Sequence, residues 1–269
     1  MLEAAVLLLL VGALSGALGG MLGIGDGVVI VPALILIFEA TQIHPSTQIT
    51  VTAVATSMAV IIFTSFSAAY SQYRAGKILW PVMRKLTPVF VLGSFCAGLI
   101  TPWLDAWLLR GLIGAFLCFV GVTMLLAWRP DPERQMPGLL PMSGIGFGGG
   151  LVSGAAGIAG GNVIVPTLVY FNIPVHNATA TSSAMGVLIA LSGALGYILG
   201  VNQASAGDWM LGYVDLRSWL WITLAAIAAA PLGVRLAHRL PAALLKRVFG
   251  GFLLLVALRM LYSAYLLTV

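Results

Sequence analysis

The chain has very little charge. Only 8% of its 269 residues are Asp, Glu, Lys or Arg, whereas 60% are hydrophobic, and the mean hydropathy is +1.06. So few charged groups are not enough to cover the surface of a water-soluble domain of this length. The composition therefore predicts an all-α polytopic membrane protein whose main partner is the lipid bilayer.

Cysteine and histidine are also scarce, and neither occurs at a metal-binding spacing. Cys96 and Cys118 lie in separate apolar segments without a CxxC pair, and the three histidines form no HExxH pattern. The chain has no P-loop sequence either, which argues against an ATPase. We therefore expect no catalytic residue, no metal, no cofactor and no nucleic-acid partner, and we interpret the net charge of +5 as a signal of membrane orientation.

The apolar segments have the length that a membrane requires, since a helix needs about 20 residues to cross one. Six of them are uninterrupted and cover about 49–72, 84–101, 107–128, 178–200, 217–234 and 245–267. Two more, at 4–38 and 142–171, are interrupted by clusters of glycine. The sequence thus predicts six continuous spans and two broken helical stretches.

The two broken stretches have related sequences. Residues 12–34 match residues 146–168 at 11 of 23 positions, and Gly23–Pro32 corresponds to Gly157–Pro166. A duplication that contains a broken helix in each half is typical of transporters built from inverted repeats. We predict one membrane domain with repeats at 1–135 and 136–269, each consisting of a re-entrant helical hairpin and three transmembrane helices.

The distribution of Lys and Arg favours this topology. If each broken stretch crossed the membrane once, the 13 basic residues would divide eight to five between the faces. If each stretch is instead a hairpin that returns to its own side, ten of the 13 share one face, which the positive-inside rule makes cytoplasmic. Both termini are then outside. The first arm is almost long enough to span, so a crossing there stays an alternative.

Glycines outside the breaks indicate close helix packing. Gly12, Gly16 and Gly20 repeat every four residues and correspond to three glycines in the second half, at 146, 150 and 154. Small residues at this spacing allow two membrane helices to approach closely. We expect packing rather than binding at these positions.

The breaks themselves are the candidate binding site. A half-helix that begins inside the membrane has unpaired N–H groups and a partial positive charge at its N-terminus, and both favour an anion. Hydroxyl groups in the spans that follow, in Ala55-Thr56-Ser57 and Ala180-Thr181-Ser182, could add hydrogen bonds. The expected substrate-binding residues are Gly23, Gly25, Gly27, Gly157, Gly160, Gly161, Asn162, Thr56, Ser57, Thr181 and Ser182.

Asp26 has two interpretations. It is the only acidic residue that we place inside the membrane, where charge is costly and usually functional. It could be the N-cap of the half-helix that begins near Val28. Alternatively, it could bind a proton or a cation and so couple ion binding to the anion nearby.

The repeated Gly-Ile-Gly-x-Gly-Val-hydrophobic-hydrophobic-Val-Pro segments and the following Ala-Thr-Ser resemble those of the TauE/SafE sulfite exporter family. This resemblance implies a transporter of small sulfur-containing anions, such as sulfite or organosulfonates, in a bacterial-type inner membrane. The family motif corresponds to Gly23, Gly25 and Gly27 and to Gly157, Gly160 and Gly161. The chain differs in having Asp26 and Ala159 where the family usually has glycine.

Two other functions remain open. Gly23-Ile24-Gly25-Asp26 matches the GxGD motif of intramembrane aspartyl proteases, and Pro32-Ala33-Leu34 matches their PAL motif. Such an enzyme needs a second carboxylate at the same site, and no other apolar segment contains an aspartate. A membrane subunit without transport activity is the remaining alternative. The direction of transport, the coupling ion and the oligomeric state are not determined by the sequence.

Overall fold

A computed structural model describes residues 2–22, 26–126, 139–158, 160–201, 209–237 and 242–268. These residues form ten α-helices. In chain order they are α1 (Leu2–Leu22), α2 (Gly27–Thr41), α3 (Ile49–Arg74), α4 (Trp80–Ile100), α5 (Ala106–Leu125), α6 (Leu139–Ala155), α7 (Gly161–Tyr170), α8 (Val175–Leu199), α9 (Leu216–Ala237) and α10 (Ala242–Leu266). The protein is therefore a helical membrane protein.

Two short elements complete the described structure. A 3-10 turn, Thr101–Trp103, follows α4, and strands β1 (Met210–Leu211) and β2 (Val214–Asp215) pair antiparallel just before α9. Gly212 has φ 63° in this hairpin, a left-handed conformation that glycine adopts without strain. The sequence did not predict this small β-hairpin.

Five helices are long and apolar enough to cross a membrane. They are Ile49–Arg74, Trp80–Trp103, Ala106–Leu125, Val175–Leu199 and Arg247–Leu266. Shorter apolar helices occur at Ala5–Gly19, Gly27–Thr41, Gly161–Tyr170 and Leu216–Ala230. Three arms of the broken stretches, in α1, α2 and α7, thus belong to the shorter class, together with the described apolar part of α9.

Helices at equivalent places in the two halves run antiparallel to each other. Met58 of α3 contacts Gly193 of α8, and Ile61, one turn later, packs on Ala190, one turn earlier. Helices α5 and α10 show the same antiparallel order, because Gly114 of α5 contacts Leu261, whereas Gly121, two turns later, contacts Gly250 and Leu254, which come earlier in α10.

The first arms pack along helices of the opposite half. A Cβ atom at Gly16 of α1 would overlap the backbone carbonyl of Ala226 in α9, and a Cβ atom at Gly150 of α6 would overlap that of Phe90 in α4. Phe90 and Ala226 are themselves equivalent positions of the repeat, because they have the same separation in the sequence as Gly76 and Gly212. The four-residue glycine spacing therefore gives close packing of α1 on α9 and of α6 on α4.

Both broken stretches return to the end at which they begin. We call face A the end of the bundle where α3 begins, and face B the end where α3 finishes. Helix α9 runs parallel to α3, since Asp215 contacts Thr56 and Trp219 contacts Ala59, and α1 runs parallel to α9. Thus α1 starts at face A, and α2 ends there, at the loop before Ile49. Helix α6 starts at face B, because it runs parallel to α4, with Gly146 near Phe90 and Gly154 near Ala97. Helix α7 ends at face B, because it leads into the start of α8, which runs antiparallel to α3.

Candidate functional site

The start of α2, directly after the first break, meets the second break inside the bundle. The first break is residues 23–26, between α1 and α2, and the second break is residues 156–160, between α6 and α7. A Cβ atom at Gly27 would overlap the carbonyl oxygen of Gly157 and would lie 2.8 Å from Ile61 of α3 and 3.1 Å from Ile158. Ile61 is 12 residues into α3, or about 18 Å along it. The start of α2 and the second break therefore meet near the middle of the bundle.

The second break has a defined backbone geometry. Gly157 and Gly160 have φ values of 69° and 78°, and other residues rarely adopt this region. Ser57 of α3 donates a hydrogen bond to the carbonyl of Gly157 at 2.9 Å, so a predicted site hydroxyl holds the break in place. Gly23 and Gly25 lie outside the described residues.

Asn162 is a buried amide without a partner. It is the second residue of α7 and is 2% exposed, and neither its Oδ1 nor its Nδ2 has a hydrogen-bond partner among the described groups. Leaving a buried polar group unpaired costs about 1–3 kcal/mol. An anion at the start of α7 would accept a hydrogen bond from Nδ2 and would also face the free N–H groups of the first turn.

Asp26 occupies the N-cap position of α2, and its backbone carbonyl accepts the N–H groups of Val29 and Ile30. Its side chain makes no capping hydrogen bond; instead, one carboxylate oxygen packs on the Cα of Gly19 in α1 and the group lies beside Thr64 of α3. The residue is 6% exposed, and Oδ2 has no partner among the described groups. The carboxyl group therefore lies between α1 and α3 with one oxygen available to a proton, a cation or a ligand.

The second half has a different polar group at the corresponding place. At the offset of 134, Gly19 and Asp26 correspond to Ser153 and Gly160. Ser153 is fully buried, and its hydroxyl has no described partner. In the first half, the polar side chain is the titratable carboxyl group of Asp26 in the break. In the second half, it is the neutral hydroxyl of Ser153, in the helix before the break. We did not select Ser153 from the sequence, although the repeat alignment already placed it opposite Gly19.

Thr56 and Thr181 bind backbone groups of the opposite half. The Thr56 hydroxyl oxygen accepts a hydrogen bond from the N–H of Asp215, and that of Thr181 accepts one from the N–H of Leu79, both at 3.0 Å. Leu79 and Asp215 each lie just before the corresponding helix of their half, α4 or α9, and they are equivalent in the repeat. The two threonines therefore stabilise equivalent helix starts. Ser182, the next residue after Thr181, is 2% exposed.

Asp215 also joins the two halves at face A. Its carboxylate accepts a hydrogen bond from the Ser218 hydroxyl at 2.8 Å and lies 3.3 Å from Nε2 of His44, in the loop after α2. Burial acts to raise the pKa of Asp215, but the bonds from His44 and Ser218 outweigh burial, so this pKa is lowered from its ordinary value. At face B, the equivalent residue is Leu79, which cannot titrate.

The described residues do not bring Asp26 together with a second carboxylate. Asp215 is bound to His44 and Ser218 at face A, and Asp105 is an exposed residue just before α5. No group of three His, Cys, Asp or Glu that could hold a metal occurs within the described part of the chain.

The sequence was compared with known families and proteins. The profile of the sulfite exporter TauE/SafE family matches residues 8–260. The chain belongs to the TauE/SafE family. This match covers both breaks and all the helices that contact them, and it confirms the resemblance in the repeated glycine motifs.

Named relatives of this TauE/SafE protein are similar over almost their whole length. A probable membrane transporter protein of Haemophilus influenzae is 34% identical over 259 residues, which are 95% of this chain and 97% of the relative. A probable membrane transporter protein of Methanocaldococcus jannaschii is 27% identical over 95% of this chain and 94% of its own. No solved structure matches. The protein is therefore a multi-pass membrane transporter.

Proposed function

We propose that this transporter carries small sulfur-containing anions, such as sulfite or an organosulfonate, by alternating access. The observation that carries the proposal is the unpartnered amide of Asn162, which is 2% exposed at the start of α7. A half-helix N-terminus inside a membrane bundle attracts an anion without a buried Lys or Arg. The substrate class follows from the family's description as sulfite exporters.

The helix directions support an inverted repeat. Equivalent helices α3 and α8 run antiparallel, as do α5 and α10, and the two hairpins enter from faces A and B and meet at Gly27 and Gly157. An anion held where the hairpins meet would be reached from face A past the first hairpin. It would be reached from face B past the second hairpin. This arrangement allows the site to open to each side in turn.

Asp26 is the proposed coupling residue. Its unpaired Oδ2 lies in the buried interior one residue from Gly27, which contacts the second break. An ionised carboxylate there repels an anion, whereas a protonated or cation-bound carboxyl does not. Loading of the anion and of a proton or cation would therefore favour each other.

The orientation follows from the basic residues at face B. Arg74, Lys77, Arg84 and Lys85 are all exposed at the end of α3 or the start of α4. The positive-inside rule makes face B cytoplasmic. The proposal therefore places the protein in a bacterial-type inner membrane with face A and both termini outside.

The test is counterflow in proteoliposomes that contain the purified protein. Exchange of radiolabelled sulfite and of a small organosulfonate is measured, and the pH profile is taken with the organosulfonate because its charge is constant near neutral pH. We expect protein-dependent exchange that rises as the pH falls, because protonation of Asp26 removes a negative charge beside the anion. Asp26→Asn should exchange at a rate that no longer depends on pH.

The matched control is Asp105→Asn, which removes an exposed carboxyl group outside the site. This variant should keep the wild-type pH profile. If wild-type protein exchanges neither anion, the proposed substrate class is wrong. If exchange occurs and Asp26→Asn keeps the pH response, the coupling role of Asp26 is wrong while the carrier function stands.

A further inference from the structure

Four buried hydroxyl groups in the described structure have no hydrogen-bond partner. They belong to Thr52, Thr87, Ser153 and Thr223. Most other helical hydroxyls donate to a backbone carbonyl, as those of Ser15, Ser94, Thr123, Thr167, Ser183 and Ser192 do. The four exceptions are unusual because a hydroxyl in a membrane helix can normally satisfy itself on its own backbone.

Thr87 and Thr223 occupy equivalent positions in the two halves. Each is the eighth residue of its helix, α4 or α9, and the two helices are equivalent in the repeat. Their exposed fractions are 7% and 6%. Seven residues of helix correspond to about 10 Å, so Thr87 lies about 10 Å from the start of α4 and Thr223 about 10 Å from the start of α9. The pair is therefore related by the same symmetry as the breaks.

Thr87 faces the seam between α4 and the second hairpin. It shares one side of α4 with Phe90 and Ser94, three and seven residues later. Phe90 contacts Gly149 and Gly150 of α6, and Ser94 donates a hydrogen bond to a backbone carbonyl of α8. The Thr87 hydroxyl thus lies between the first arm of the second hairpin and the span that follows this hairpin.

Thr223 has the corresponding surroundings in the first half. It shares one side of α9 with Trp219 and Ala226. Trp219 donates to the backbone carbonyl of Ala59 in α3, and Ala226 contacts Gly16 of α1. Each threonine therefore lies beside the hairpin of the opposite half, between one face of the bundle and the central break.

We propose that Thr87 and Thr223 are the outer binding residues of two access routes, with Thr87 serving the route to face B and Thr223 the route to face A. The inference rests on the proposed anion carrier and adds a contact on each side of the central site. A single hydroxyl donor suits this position. A site that an anion passes on its way to the central site must replace part of the hydration of the anion without holding it strongly.

The experiment measures the accessibility of cysteines introduced at the two positions. Thr87→Cys and Thr223→Cys are made in a background in which Cys96 and Cys118 are replaced by alanine, and a membrane-impermeant maleimide is added to either face of oriented vesicles. Ser94→Cys is the matched control, since Ser94 is fully buried on the same side of α4 with its hydroxyl bonded to a carbonyl.

We expect Thr223→Cys to react from face A and Thr87→Cys from face B, each at least ten times faster than Ser94→Cys. Millimolar methanesulfonate should slow both reactions. If neither variant reacts faster than the control, or if each reacts equally from both faces, the access routes are wrong. If labelling is specific for one face but methanesulfonate has no effect, the routes stand and the proposed substrate class fails.

A kinetic measurement provides an independent readout. Thr87→Val and Thr223→Val keep the shape of the side chain and remove an unpaired hydroxyl, so neither should lower the melting temperature. Each should raise the KM for organosulfonate exchange several-fold, and Thr87→Ser and Thr223→Ser should restore it. Valine variants with an unchanged KM would overturn the inference, whereas a purely structural threonine would affect stability first.

Discussion

The two glycine breaks occupy equivalent places in the two halves but contain different chemistry. The first break contains the carboxyl group of Asp26, which packs against Gly19. The second break has Gly160 at that position, with Ser153 in place of Gly19 and Asn162 in place of Val28. The first half therefore provides a titratable group and the second half provides neutral donors. A transporter with two identical breaks would have no such division.

We propose that this difference gives the two half-helix N-termini separate tasks. An ionised Asp26 beside α2 would oppose an anion there, whereas the described start of α7 combines unpaired backbone N–H groups with the free amide of Asn162. We expect the anion to bind mainly at the second break and the proton or cation at the first. Contact between Gly27 and Gly157 places the two sites next to each other.

The largest predicted effect comes from making the second break resemble the first at Asn162. Asn162→Val installs the residue found at the equivalent position, Val28. A hydrogen bond to a charged group contributes about 1.5–3 kcal/mol, so the affinity for the organosulfonate should fall by about 10- to 100-fold. Binding is measured by isothermal calorimetry or by the concentration dependence of exchange.

The same variant should be at least as stable as the wild type, because it removes two buried polar atoms that have no described partner. Thermal unfolding in detergent provides this control. A loss of stability with unchanged affinity would mean that Asn162 is a structural residue, and the comparison of the two breaks would then lose its main support.

The second prediction makes the first break resemble the second. In Gly19→Ser the new Cβ atom would overlap the carboxylate of Asp26, and overpacking of this kind costs up to about 3 kcal/mol. Asp26→Gly removes the obstacle, so the double variant should regain most of the lost stability. A double-mutant cycle on melting temperature measures the coupling.

The double variant should also transport without pH dependence, because both breaks then carry only neutral groups. Additive effects of the two substitutions on stability would contradict the packing of Asp26 on Gly19. A pH response that survives in the double variant would show that another group couples transport to protons.

Sequence reasoning identified the architecture better than the individual contacts. The repeat of residues 12–34 at 146–168 and the length of the apolar segments predicted a helical membrane protein with two glycine breaks, because periodicity and hydropathy are local properties of the chain. It also selected Asp26, since charge is rare in such segments, and Asn162, since it lies at the start of the second half-helix. The contact between Gly27 and Gly157 required the three-dimensional packing of elements from opposite halves of the chain.

The hydroxyl groups show more clearly which contacts cannot be predicted from the sequence. Thr56 and Ser57 are adjacent in the sequence and looked equally suitable for substrate binding. In the structure, one accepts the N–H of Asp215 and the other donates to the carbonyl of Gly157. Conversely, Thr87 and Thr223 had no distinguishing local pattern. A hydroxyl becomes a candidate for binding only when its partners, or the lack of them, are known.

The third prediction concerns a feature that the two halves share. Thr56→Val and Thr181→Val each leave one backbone N–H, that of Asp215 or Leu79, without its acceptor. Each should destabilise the protein by about 1 kcal/mol, and the two losses should be similar because the contacts are equivalent. Chemical or thermal unfolding of the two variants provides the comparison.

These two threonines were predicted as substrate-binding residues, and the same variants test that interpretation. If Thr56 and Thr181 only hold helix starts, the KM for exchange should change less than twofold. A large rise in KM without loss of stability would instead favour the original site interpretation, and unequal stability losses would break the symmetry that the structure suggests.

The smallest effect is expected at Asp215, where face A has a titratable group and face B has Leu79. Since the pKa of Asp215 is lower in the folded chain than its ordinary value, ionisation favours the folded state. This contribution is complete at neutral pH and is lost as the pH falls through the lowered pKa, below about 4. Asp215→Asn should therefore lower the melting temperature at pH 7 and differ less from the wild type in more acidic buffer.

Asp105→Asn serves as the control for the acid range, because Asp105 is exposed and precedes α5 without a side-chain capping bond. His44→Ala removes one of the two side chains that bind the Asp215 carboxylate and should reproduce part of the loss at pH 7, whereas Ser218 still donates its hydrogen bond. A difference in melting temperature between Asp215→Asn and the wild type that stays constant from pH 7 to pH 3 would mean that Asp215 and its partners stabilise face A by packing rather than by charge. The two faces would then not differ in their response to pH.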